Sequence, residues 1–221
     1  MSFKNSRLRV SFYSILVTMM ISAAACASSG DVRGDKNGLK NGRGTEGTEV
    51  RNEGVKYEDY LVDINSYSTN GAYYQKKYKK DIIGLARDMA EQQDMDISIG
   101  SVGFYYDKKS NRPDRLFFGF DIVVNNENRL NYSRFSVKLI KEYVAEIADE
   151  IYKYSFVRSE KEVVGIVIGF KWRDGSIDQQ VNIWIKKEDV ALFVEERLTA
   201  NEMFQRGSIT NSRGRIILLP I

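Results

Sequence analysis

Residues 162–186 read EVVGIVIGFKWRDGSIDQQVNIWIK. Val164, Ile166, Ile168, Phe170 and Trp172 fall on every second position, and so do Val181, Ile183 and Ile185. A period of two puts each set on one face of a strand. Asp174-Gly175 stands between the runs, and that dipeptide suits a tight hairpin turn. The stretch therefore commits the chain to a sheet with one greasy face.

The rest of the chain supplies what that face packs against. Tyr78, Ile82, Leu85, Ala86 and Met89 recur at helical spacing, and Val137, Ile140, Val144, Ile147 and Ile151 predict a second helix from Ser133 to about Tyr154. Between them, ISIGSVGFYYD and RLFFGFDIVV read as two strands joined by KKSNRPD. Glu188 and Asp189 open a third helix carrying Val190, Phe193, Val194 and Leu198, acidic residues being favourable in a first turn. SITNSRGRIILLPI reads as a last hairpin whose Pro220 suits an edge. The expected class is α+β: an antiparallel or mixed sheet with helices packed on one face. The order is α-β-β-α-β-β-α plus a C-terminal strand pair. Val102-Gly103 and Val164-Gly165 fall at like places in the two halves, so a degenerate αββ repeat and a chance likeness of two hairpins both stand as readings.

Alternation assigns Val102, Phe104 and Tyr106, then Leu116, Phe118, Phe120, Ile122 and Val124, to the core with the hairpin residues above. The opposite face then carries Gly103, Tyr105, Phe117, Gly119, Asp121, Val123, Gly165, Val167, Gly169, Asn182, Trp184 and Lys186. Four glycines and three aromatics make it flatter and more apolar than solvation requires. Three readings follow: aromatics lie across neighbouring glycines to fill the gaps, the C-terminal segment covers the face, or the face binds a ligand. For the last, Tyr105, Phe117, Asp121 and Trp184 are the candidate binding residues.

The start of the chain has a separate logic. Lys4, Arg7 and Arg9 precede an apolar stretch, Phe12 to Ala25, broken only by Ser14, Thr18 and Ser22. It is shorter than the roughly 20 residues of a membrane-spanning helix and has the flanks of a secretory signal peptide. Ala23-Ala24-Ala25-Cys26 resembles the lipobox of bacterial lipoproteins. The resemblance implies cleavage before Cys26, a diacylglycerol on its sulfur, and further acylation of the new amino end. Cys26 is followed by Ala27 rather than Asp, which in the enteric pattern implies the outer membrane; whether the protein faces periplasm or cell surface stays open.

Residues 27–54 are rich in Gly, Asn, Ser and charge, with Val32, Leu39 and Val50 as their large apolar residues. This composition predicts a disordered tether, spanning about 30 Å on average. The expected organisation is thus 1–25 signal peptide, 26–54 lipidated end and tether, 55–221 one globular domain. Arg33-Gly34-Asp35 spells an integrin-type tripeptide in the tether, although three common residues of such a linker coincide easily.

Residues 1–25 hold three of the 33 basic side chains and none of the 30 acidic ones, so the processed chain carries 30 of each. That balance gives no broad grip on nucleic acid. Histidine is absent and Cys26 is the one cysteine, which removes the usual zinc ligands, His-based nucleophile pairs and disulfides. No cofactor is expected. The reading is a non-catalytic, lipid-anchored interaction module of the cell envelope, in assembly or scaffolding. Its partner is expected to be another envelope protein or a cell-wall or surface ligand. A surface-exposed lipoprotein binding a host or environmental ligand is one alternative. A cell-wall glycosidase using carboxylates such as Asp107 and Asp121 is the other.

Overall fold

Twelve residues of the diagnostic stretch, Val163–Asp174, form strand β3, and Ile177–Lys186 form β4 antiparallel to it. Gly175 turns the chain at φ +59°, the left-handed conformation that the Asp-Gly signal anticipates. These strands belong to a computed structural model that describes residues 56–106 and 112–221. Cys26, the tether, Arg33-Gly34-Asp35 and Asp107 lie outside the described residues. The remaining strands are β1 (Gly103–Tyr105), β2 (Leu116–Val123) and β5 (Ser208–Asn211). The helices are α1 (Gly71–Lys77), α2 (Lys79–Gln92), α3 (Tyr132–Tyr152), α4 (Ser155–Ser159), α5 (Lys187–Val194) and α6 (Ala200–Arg206).

The five strands stand side by side in chain order. All neighbours are antiparallel except β2 and β3, which run parallel because α3 carries the chain back between them. The sheet is therefore mixed and the class α+β, as expected. One cluster joins Ile82, Leu85 and Met89 of α2, Ile140, Val144 and Ile147 of α3, Phe156 of α4 and Met203 of α6 to Phe118, Phe120 and Ile122 of β2 and Ile166, Ile168, Phe170 and Trp172 of β3. All helices thus bury their apolar stripes against the same sheet face.

The two hairpins do not follow one another by simple translation along the sheet. A translated copy of the β1–β2 hairpin needs β3 antiparallel to β2. A copy turned in the plane of the sheet puts β4, not β3, beside β2. Observed is β3 parallel to β2, so the second hairpin is neither a translated nor an in-plane-rotated copy of the first.

Other differences have local causes. The first helix breaks at Tyr78 into α1 and α2, and α6 follows α5 with Thr199 as its cap, accepting from the Glu202 amide. Val194 belongs to α5 but faces outward. Val164, assigned to the core by parity, is half-buried, while Val163 is buried. The register shifts there: Leu116 pairs with Val163 and Phe117 with Gly165, leaving Val164 as the extra residue of a bulge. The expected strand over 97–107 is also interrupted. Ile97 lies opposite Ile122 and Gly103 opposite Gly119, six residues against three. The surplus turns out through Gly100 at φ +68°. The apolar parity itself changes there, from Ile97 and Ile99 to Val102 and Phe104.

The outer edge of β1 is covered. Val62 donates its amide to the Val102 carbonyl at 2.9 Å, and Val102 donates to the Tyr60 carbonyl at 2.8 Å. Tyr67 closes the wrap: its hydroxyl donates to Gln75 Oε1 and accepts the Phe104 amide at 3.1 Å. Burial pushes this phenol up to about 12. A Cβ on Gly103 would strike Val62 and the Tyr67 hydroxyl, so this glycine lies under the wrap and not on a free surface.

Candidate functional site

The sheet face turned away from the helices is set out in cross-strand rows by the register. Tyr105, Phe117 and Gly165 lie abreast, then Gly119, Val167 and Trp184, then Asp121, Gly169, Asn182 and Thr210, then Val123, Lys171 and Gln180. Two distinct patches result.

The first is aromatic. The rings of Phe117 and Trp184 meet edge to face, 5.2 Å between centres at 84°, a favoured arrangement. Among the described residues, Val167 is the buried apolar side chain that lies outside the core cluster, and it sits in the row of Trp184. The Phe117 ring lies across Gly165, so close that a Cβ there would come within 2.7 Å of it. This is the gap-filling reading of the glycines. It accounts for Gly165 without a ligand, while Phe117 and Trp184 themselves are half-buried, each keeping part of its surface exposed.

The second patch is a polar ladder. Lys171 Nζ pairs with Asp121 Oδ2 at 2.8 Å. Gln180 Nε2 donates to Asp121 Oδ1 at 3.2 Å and to Asn182 Oδ1 at 2.8 Å. Trp184 Nε1 donates to Thr210 Oγ1 at 3.1 Å, which links the ladder to the aromatic patch. The Asp121 carboxylate lies directly above Gly169, where any Cβ would overlap it. Gly169 is therefore the space that lets Asp121 reach across β3 to Gln180 on β4.

The four predicted residues are thus divided. Phe117 and Trp184 are brought together. Asp121 anchors the ladder. Tyr105 is turned away from any ligand: its hydroxyl donates to the Ser101 carbonyl. Burial pushes its phenol strongly upward, with the Asp121 charge adding to the effect. Lys171 and Gln180 were not among the predicted residues, yet both have the parity of this face and extend the alternation by one step on each strand. Thr210 had no such signal, because its place depends on how β5 pairs with β4.

Beyond the ladder, the face ends in a cleft of roughly 410 Å³ lined in part by Val123, Asn125, Lys171, Arg173, Gln180 and Ser212. That size fits a small ligand or one or two side chains of a partner. The C-terminal segment does not cover the face: Ile217, Leu219 and Ile221 pack against the core. Among the described residues no cluster of His, Cys, Asp and Glu has the arrangement to hold a metal ion, and no helix is long and apolar enough to cross a membrane.

No protein family, curated protein or solved structure matches this chain.

Proposed function

We propose that the protein is a lipid-anchored component of the bacterial cell envelope, held through Cys26, whose domain is a non-catalytic interaction module in envelope assembly or scaffolding. Support for the anchor comes from the lipobox-like Ala23-Ala24-Ala25-Cys26 after a short apolar stretch. The observation that carries the binding reading is the partly exposed Phe117–Trp184 pair beside the Asp121–Lys171–Gln180 ladder. Aromatic side chains at the centre of an interface dominate its energy, and a fixed polar array beside them supplies direction. Asp121 has its carboxylate engaged by Lys171 and Gln180, which suits a fixed recognition element better than a glycosidase acid. An anchor also raises the effective concentration at the membrane, so modest affinity suffices.

Crosslinked capture from native membranes tests the binding reading. Wild type should retain a partner that Trp184→Ala loses; equal capture by both sinks the role of this face. For the anchor, Cys26→Ser should move the protein out of the detergent phase in phase partitioning, and identical partitioning of both forms refutes lipidation. Protease treatment of intact cells separates the two settings: survival favours envelope assembly, digestion a surface ligand.

A further inference from the structure

We propose that the C-terminal hairpin is a docking element for an anionic lipid surface. Residues 203–221 contain no acidic residue. Arg213 and Arg215 are exposed at the turn after β5, and neither is paired with a carboxylate among the described residues. The turn is firmly built. Asn211 Oδ1 accepts the amides of both Arg213 and Arg215 at 3.0 Å, and the Gly214 amide donates to the Asn211 carbonyl at 2.8 Å.

The chain then returns along β5. Ile216 bridges Thr210, and Ile217 donates its amide to the Ile209 carbonyl. Ile217, Leu219 and Ile221 face the core. Ile216 and Leu218 alternate with them outward and are 61% and 96% exposed. Two large aliphatic side chains held out beside two arginines have the chemistry of a membrane interface: apolar groups enter the acyl boundary while cations stay with phosphate headgroups. Residues 26–221 carry 30 basic and 30 acidic side chains, so the attraction is local to this hairpin. Because Ile217, Leu219 and Ile221 fix the segment to the core, little ordering accompanies contact. The inference takes from the envelope reading only the presence of a nearby membrane. Its failure leaves capture through Trp184 untouched, and the reverse holds.

The full chain carrying Cys26→Ser has no other cysteine, so Leu218→Cys places one polarity-sensitive dye at the proposed contact. Tyr143→Cys, on α3 and 40% exposed, places it on the helical layer. The probes are vesicles of phosphatidylcholine alone and of phosphatidylcholine with phosphatidylglycerol. The expected result is a blue shift for the dye at 218, with phosphatidylglycerol only, and none for the dye at 143. Adding Arg213→Glu and Arg215→Glu should weaken the vesicle response at least about tenfold. Position-specific readout separates this contact from any contributed by the apolar stretch at 12–25. No shift at 218, equal shifts at both positions, or a shift indifferent to charge reversal overturns the proposal. A concentration-dependent shift without vesicles overturns it too, and identifies a second copy of the chain as the occupant.

Discussion

The two tryptophans show how one strand parity separates two kinds of residue. Trp172 is 4% exposed and packs its ring against Tyr132 and Phe135, so Trp172→Ala should cost about 3–5 kcal/mol. Trp184 is half-buried, its ring meeting Phe117 and its indole N–H donating to Thr210. Trp184→Ala should cost about 1–2 kcal/mol. Urea unfolding of both variants checks the contrast; equal large losses would mean the outer face is a second core. Glu160 offers a pH test. Lys77 at 2.7 Å, together with the Tyr78 hydroxyl, holds its carboxyl below the usual carboxylate range. A depressed folded-state pKa means that the unfolded chain binds the proton more readily. The stabilisation is thus complete above the ordinary value of about 4.3 and lost as pH falls below it. Glu160→Gln should flatten the decline of stability between about pH 5 and 3, as read by urea midpoints at each pH. An unchanged slope refutes the assignment.

Among the elements, the β2–β3–β4 ribbon has a tight requirement at Gly169. Its neighbours Asp121 and Asn182 project over it from both sides. Gly169→Ala must displace the Asp121 carboxylate and with it the contacts to Lys171 and Gln180. The expected loss is about 1–3 kcal/mol, the range for overpacking. Pairing Gly169→Ala with Asp121→Ala should recover part of it, because the second change empties the contested space. Denaturant midpoints for the two single variants and the pair decide this, and strictly additive losses would show that Asp121 is not what the glycine serves.

For the whole molecule, the described core begins at Tyr57 and involves one continuous cluster. Deleting residues 27–54 should therefore shift the melting temperature by no more than a couple of degrees, since that stretch has almost no apolar side chains to contribute. A drop of ten degrees or more would show that it packs on the domain. The fold class was legible because period-two runs with an Asp-Gly turn and period-3.6 runs are each local signals. Even the break in the first strand left a trace in the parity change between Ile99 and Val102. The extra residue Val164 left none, because a bulge is defined only by what the neighbouring strand does opposite it.

What the sequence by itself determined is, within each unbroken strand, the set of side chains on each face, and the absence of histidine-based chemistry in a chain without histidine. Alternation along a strand needs no knowledge of partners, so Trp184 and Trp172 could be separated at once. Only the tertiary structure decided how the two hairpins adjoin and that β3 lies parallel to β2. That depends on α3 returning the chain to make β3 parallel to β2, a long-range pairing that local pattern does not encode. That pairing brought Lys171 to Asp121 and aligned Phe117 with Gly165, while β4 against β3 brought in Gln180 and β5 against β4 led the C-terminal segment to the core instead of across the open face. Each is a contact between residues distant in the chain, and so depends on register and packing rather than on local sequence.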